Sequence, residues 1–440
     1  MTKKRLLVLS LVLLVVGLVA VLALAGCGSS SEVTTTTAAP AETTTTAAVT
    51  TDTTVASTET TAGTVTFDGE VVIGALNSMT GDNAMTGAEQ KWAREKAVED
   101  LNAKGGVTVD GKKMKIVLRF VDDKSQPTEA AAAIEKLIKV EGIKVILSSN
   151  VLPLNAAAAT VAEKYSAYYH IDTTWTNEIS KMNLKWSSDM FMEPGDAGDV
   201  PFKALELMPA AERPKICGLV MEDNSDGQGL GGAVAGLAES HGYTVGANEP
   251  FTPGTKDFSS IILKLKESKV DALFAFISPA DGITFVKQMK EQNYSPKFVF
   301  GWKGFWPTEF MKALEADANY IGHDGFWFEG LPYPGCAELG QAFKDTHDGL
   351  DSVSIGNPYA ATQILAEAIT NANSMDPAAV RDAVFGHTFK GTTQGDITYD
   401  ANGIAKTTML ALMWKDGKRI VTYPAVEGMK LEWFVPWDQR

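Results

Sequence analysis

Two pairs of adjacent carboxylates, Asp122-Asp123 and Glu222-Asp223, each close an apolar run and could exchange protons with a substrate. Paired carboxylates at strand ends can act as general acid and base, but they act more often as solvated caps. A third candidate, Gly227-Gln228-Gly229-Leu230-Gly231-Gly232, fits Gly-x-Gly-x-x-Gly, and Glu249 follows about twenty residues on, as in a dinucleotide-binding turn. Glu222, Asp223 and Asp226 crowd that turn, where their charge would repel a pyrophosphate. A Gly-rich helix start packed close on its sheet is the expectation. The chain has no Gly-x-Ser-x-Gly, His-Glu-x-x-His, Cys-x-x-Cys or Walker-type phosphate loop, and its five histidines are scattered singly. No nucleophile and base, metal cage or cofactor cradle is expected, so the chain reads as a binding protein and not an enzyme.

The elements that would position such residues alternate in kind. Short β-branched runs at 71–76, 115–121, 144–147 and 167–171 read as strands, interleaved with helices at 87–102, 128–140 and 154–164. The alternation pauses around Met192-Glu193-Pro194-Gly195 and restarts. Strands follow at 215–221, 243–249, 270–277 and 297–300, with helices beginning near Gln228, Asp257, Asp281 and Pro307. Helices at 337–347, 359–371 and 377–385 are expected to return to the first half, and 396–399, 408–414 and 419–423 read as antiparallel strands. Strand and helix in alternation imply α/β architecture with two doubly wound lobes. Pro194, Gly330 to Pro334 and Gly391 mark three crossings between them. The expected lobes are 67–192 with 331–389 and 193–330 with 390–440. Ligands of such sheets bind outside the carboxyl ends of the strands, which places a site in the cleft.

The N-terminus carries an address. Lys3, Lys4 and Arg5 lead into an apolar run ending Leu24-Ala25-Gly26-Cys27. A basic start, an apolar stretch and a small-residue cleavage site read as a secretory signal, and this ending resembles a bacterial lipobox with Cys27 as the lipidated residue. Residues 28–66 are Thr/Ala-rich with few large apolar side chains, the composition of a disordered tether. The expected location is the outer face of a membrane, held by the acyl chains of Cys27. A net charge of -15 at pH 7 argues against nucleic acid as a partner. Cys217 and Cys336, far apart and in different settings, are expected to be free thiols.

Several motifs in order give a family resemblance. They are Ile73-Gly74 with Met79-Thr80-Gly81 and Gly87; Asn102-Ala103-Lys104-Gly105-Gly106; Asp122-Asp123 with Pro127; Lys256-Asp257-Phe258-Ser259; and Asn357-Pro358-Tyr359-Ala360. The most specific is Phe389-x-Gly391-x-x-Gly395-x-Ile397-x-Tyr399-Asp400-x-x-Gly403. From Val71 onward the chain resembles the type I periplasmic solute-binding proteins of branched-chain amino acid ABC transporters. The resemblance implies two Rossmann-like lobes, a three-strand hinge, a monomer that closes on a small solute without cofactor or metal, and delivery to a membrane permease.

It also implies site residues. Thr86 matches a position touching the ligand's side chain. The loop Ser149-Asn150-Val151-Leu152-Pro153 meets a helix N-terminus whose free N–H groups suit a carboxylate. Thr173-Thr174-Trp175-Thr176 corresponds to a segment that grips the ligand's carboxylate and ammonium. The second lobe departs from the pattern. Asp226 and Ser278-Pro279 replace aromatics, and Lys303, in Gly301-Trp302-Lys303-Gly304-Phe305-Trp306, stands where amino-acid binders carry a Glu. A cation there would repel an ammonium, so the departure implies a small carboxylate with an aromatic or apolar body, held by Lys303 and stacked on Trp175, Trp302 and Trp306. Asp226 leaves an amino acid or short amide open, and the same fold could serve a ligand-sensing module. Where some relatives have a first-lobe disulfide, this chain has Ser125 and Val151.

Overall fold

The computed structural model describes residues 65–425 and 428–439, and the leader, the expected lipidation at Cys27 and nearly all of the expected tether lie outside them. Residues 63–440 form one compact unit built on two seven-stranded sheets. In the first, the spatial order is Ile404–Lys406, Ser187–Phe191, Tyr168–Ile171, Val145–Leu147, Gly69–Asn77, Lys112–Asp122 and Val107–Val109. All neighbours are parallel except the last pair. In the second, Ile321–Gly325, Phe298–Lys303, Ala272–Ile277, Ile216–Glu222 and Thr244–Phe251 run parallel. Leu410–Lys415 and Lys418–Tyr423 extend it antiparallel.

Burial explains the sequence of the central strands. Ala272–Ile277, the run ALFAFI, is buried at every position because helices cover both faces of a parallel sheet. Two glycines set how closely the helices approach. A Cβ at Gly87 would lie 1.9 Å from the Ser78 carbonyl oxygen, and one at Gly227 would lie 2.1 Å from that of Glu222. In each lobe the helix that follows the strand thus begins in backbone contact with the strand's end. At Gly227 this bears out the close-packed reading of the Gly-rich stretch. Asn224 caps that helix, accepting from the N–H groups of Asp226 and Gly227, so those donors face a side chain of the protein itself.

The chain crosses between lobes after Phe191, after Gly325 and after Lys406. The third crossing falls later than the expected 389. Thr388–Thr392 pairs with Gly395–Thr398 as a separate hairpin, and Ile404–Lys406 joins the first sheet beside Ser187–Phe191. The segment up to Lys406 was expected in the second lobe because its alternation reads as antiparallel tail, but its pairing partner lies in the first. Cys217 and Cys336 are buried free thiols, the latter donating to the Thr393 carbonyl at 3.1 Å.

Candidate functional site

Between the carboxyl ends of the two sheets lies a cavity of about 20 Å³, room for about one water. The first lobe supplies Val151, Leu152, Thr173, Thr174, Trp175 and Phe191; the second supplies Asp226, Phe276, Lys303 and Trp306. Among the expected residues, Val151, Leu152, Thr173, Thr174, Trp175, Asp226 and Lys303 are brought together here. Trp306, expected as a stacking surface, is also present.

Local backbone explains how the first lobe presents its donors. Val151 holds φ 53° and ψ 147°, a region a β-branched residue rarely occupies, at a strain of about 1–3 kcal/mol. The turn starts the helix Leu152–Lys164 abruptly and aims the Leu152 N–H across the cleft at Asp226 Oδ2, 3.3 Å away. Thr174 is fixed by Asn155, whose Nδ2 donates to its hydroxyl at 2.5 Å, and Thr173 donates to Asp172. Trp175 packs on Phe191 and Phe276, bridging the lobes, and its buried indole N–H has no partner.

Lys303 does not stand free as the expected anchor for a solute carboxylate. Its Nζ donates to both oxygens of Glu222, at 2.9 and 2.7 Å, and lies 5.2 Å from the Phe276 ring centre. The two residues sit at the ends of strands separated by one neighbour. Burial of both partners favours this pairing, since either charge alone would be left in a dry site. Lys303 also adopts φ 55°, which turns the chain back so that Trp306 returns to the cavity.

Asp226 carries an unpartnered carboxylate oxygen at the site. Its residue is 3% accessible, one oxygen accepts from Leu152, and the other, Oδ1, has no partner. Burial pushes its carboxyl up to about 7, against the pull of Lys303 and with a further push from Glu222.

The remaining expected residues lie outside the cavity wall. Trp302 is fully buried in the second lobe, donating to the Ala197 carbonyl and packed on Phe274 and Phe300; it faces the core because it alternates with cleft-facing Lys303 along the strand. Ser278 and Pro279 open the helix Pro279–Glu291, with Ser278 beside Asp281. Asn150 accepts from Ser78 at 3.3 Å, Pro153 lies in the first turn of the Leu152–Lys164 helix, and Thr86 and Thr176 are buried with unpaired hydroxyls. Sequence reasoning missed Phe276, which stands in an apolar strand and reads as ordinary core, and Phe191, which ends a strand that carries no β signal in the sequence. The carboxylate pairs also prove structural: Asp122 accepts from the Met79, Thr80 and Lys124 amides, and Asp223 from Gln228.

Comparison with known proteins agrees with this architecture. A family model described as periplasmic binding protein matches residues 70–419. A protein named Leu/Ile/Val-binding protein homolog 7, from Brucella abortus, is 25% identical over 388 residues, covering 82% of this chain and 94% of its own. LivJ of Streptococcus pneumoniae, solved in complex with isoleucine, superposes with a TM-score of 0.71 at 20% identity over 83% of this chain and 99% of its own. A solute-binding protein from Rhodopseudomonas palustris, solved with 3,4-dihydroxybenzoic acid, gives a TM-score of 0.66 at 18% identity, covering 84% and 96%. The fold and the matched family are those of solute-binding proteins rather than enzymes, which implies a place outside the cytoplasm, a small-molecule ligand and an ABC permease as partner, and the chain belongs to the periplasmic binding protein family.

Proposed function

We propose that the solute is an amino acid with an apolar or aromatic side chain. The observation that carries this reading is the division of charge in the cavity: Lys303 is held by Glu222, while Asp226 Oδ1 is buried and unpartnered. An unpaired carboxylate in a dry site favours an ammonium, and a charged hydrogen bond there contributes about 1.5–3 kcal/mol. The solute's carboxylate would take the unpartnered Trp175 indole N–H, and its side chain would lie against Phe191, Phe276 and Trp306. The reading moves the charge-reading role from Lys303 to Asp226. The Brucella relative named for Leu/Ile/Val binding and the isoleucine complex of LivJ support it.

A carboxylate without an amine remains the second reading, favoured by the presence of Lys303 in the wall and by the dihydroxybenzoate complex of the Rhodopseudomonas protein. Titration calorimetry of leucine and phenylalanine against 4-methylpentanoate and 3-phenylpropanoate, the same molecules without the amine, separates the two. Binding of the amino acids alone is expected. Binding of the des-amino acids with equal or greater affinity would overturn the proposal and restore Lys303 as the anchor. We further propose that the chain is lipid-anchored through Cys27, on the lipobox-like Leu24-Ala25-Gly26-Cys27. Intact mass of the membrane-extracted protein, with and without Cys27→Ser, tests it.

A further inference from the structure

A cavity of about 20 Å³ cannot admit a solute of several heavy atoms, so the lobes must part for binding and every contact that spans them must break and re-form. One such contact is buried away from the cavity. Glu89, on the first-lobe helix Ala84–Ala103, is 2% accessible. Its Oε1 accepts from the backbone N–H of Thr308, at 2.8 Å, and from the Thr308 hydroxyl, at 3.2 Å. Thr308 starts the second-lobe helix Thr308–Leu314, two residues after Trp306. The other oxygen, Oε2, accepts from Ser352, whose hydroxyl also takes the Ser354 N–H. From the second lobe, Arg419 completes the cluster: it donates to the Trp306 carbonyl and to the carbonyl and carboxylate of Asp351.

We propose that Glu89 is a closure latch, a positioning residue that holds the Trp306–Thr308 segment against the cleft in the closed form without touching the solute. The role goes beyond the identity of the solute and does not depend on it. A carboxylate is suited to it because its two oxygens address donors on both sides of the cleft. The Thr308 amide lies in the first turn of its helix, where it has no acceptor within the helix and needs one from outside. When the lobes part, Glu89 and Thr308 both regain water, so the latch adds little to folding and much to the balance between open and closed forms. Arg419 attracts the Glu89 carboxylate and Glu309 repels it, and Arg419 is itself balanced by Asp351.

Amide hydrogen exchange on the full chain, with no solute present, tests the latch. The reporters are Thr308 and Leu152, whose amides each donate across the cleft at separate places. Glu89→Ala is expected to speed exchange at both by about tenfold or more, while the sheet amides of Ile73 and Phe274 stay unchanged. Glu89→Gln keeps an acceptor for Thr308 and gains a donor toward Ser352, so it should restore both rates to near the parent values. A contact of local structural value only would accelerate Thr308 and leave Leu152 alone, and that result would overturn the proposal. So would Glu89→Gln exchanging as fast as Glu89→Ala. If Glu89→Ala does not fold, Ser352→Ala carries the same expectation in smaller measure, because it removes one donor and keeps the carboxylate.

Discussion

The Lys303 ammonium lies 2.7 Å from Glu222 Oε2 with the two side chains 6% and 1% accessible, so the cation that sequence alone offers as a solute anchor is neutralised by its own lobe. A buried pair of this kind is costly to break and cheap to replace, because desolvation is charged to each ion whether or not its partner remains. Lys303→Ala is therefore expected to destabilise the folded chain by about 3–5 kcal/mol, leaving Glu222 unpaired. The double substitution Lys303→Met with Glu222→Met should recover most of that loss. Denaturant unfolding of the three variants checks it, and additive losses in the double variant would show that the pair is not the coupled unit described.

Asp226→Asn should separate binding from stability. The amide keeps the shape and can still accept from the Leu152 N–H, but it removes the charge facing the cavity. Leucine affinity is expected to fall about tenfold or more, the worth of a charged hydrogen bond. The ligand-free fold should be as stable as the parent or more so, since an unpaired carboxylate no longer has to be buried. Calorimetry and thermal unfolding on one preparation give both numbers. Unchanged affinity would remove Asp226 from the site.

Stability should decline with rising pH over a defined window. Burial raises Glu89 from 4.5 to about 7 and Asp226 from 3.8 to about 7. At these two groups the folded state binds more protons than the unfolded chain, which lowers stability as pH rises; burial lowers His170 and His323 from 6.5 to about 3, which acts in the opposite sense below 6.5, so the net fall is expected above that value. Asp189 and Asp324, whose carboxyls burial also raises, act in the same direction as Glu89 and Asp226. Denaturant unfolding at a series of pH values from about 6.5 to 8 should show the fall, with Glu89→Gln and Asp226→Asn each flattening it. A rise in stability over that range would contradict the burial of these groups.

The strands legible in the sequence are those whose burial coincides with β-branched and aromatic runs, such as Ala272–Ile277 and Gly69–Asn77. Ser187–Phe191, reading SSDMF, is buried throughout yet carries no such signal. Of its polar side chains Ser188 is bonded to Tyr168 and His170, a network that periodicity cannot show, while the Ser187 hydroxyl and the Asp189 carboxylate are buried without a partner. The helix Pro194–Glu206 hid behind Pro194, which marks a crossing between lobes in the sequence although it occupies the first turn, where its missing N–H costs nothing. The first-lobe loops that line the cavity follow strands recognisable in the sequence, and the residues named in them, Val151, Leu152, Thr173, Thr174 and Trp175, came from the family resemblance. The role of Lys303 was not legible, since its partner Glu222 stands 81 residues away and pairing at that range is decided by topology.

The thiols offer a readout of the N-terminus. Cys217 and Cys336 are buried, and burial pushes the Cys217 thiol up to about 12, so neither is expected to react with an aromatic disulfide reagent in the native state. The membrane-extracted chain should then show no fast-reacting thiol if Cys27 carries lipid on its sulfur, and one if it does not. In denaturant, two further thiols should appear in either case.

Two of the four glycines in the Gly-rich stretch, Gly227 and Gly229, should respond oppositely to the same substitution. A Cβ at Gly227 would sit 2.1 Å from the Glu222 carbonyl oxygen, a backbone atom that cannot rotate away. Gly227→Ala must therefore push the helix off the strand end that carries Glu222 and, through it, Lys303, and is expected to destabilise the fold by about 1–3 kcal/mol or more. At Gly229, two residues along the same helix, no atom lies within 4 Å of the added methyl. Gly229→Ala should stabilise the chain by about 0.4–1 kcal/mol, because the unfolded state loses freedom and the folded state loses no space. A dinucleotide-binding turn would need its second glycine for close approach of a pyrophosphate, so a stable, solute-competent Gly229→Ala variant also separates this helix start from that chemistry. Loss of stability at Gly229 as large as at Gly227 would mean that the helix packs differently from the arrangement described.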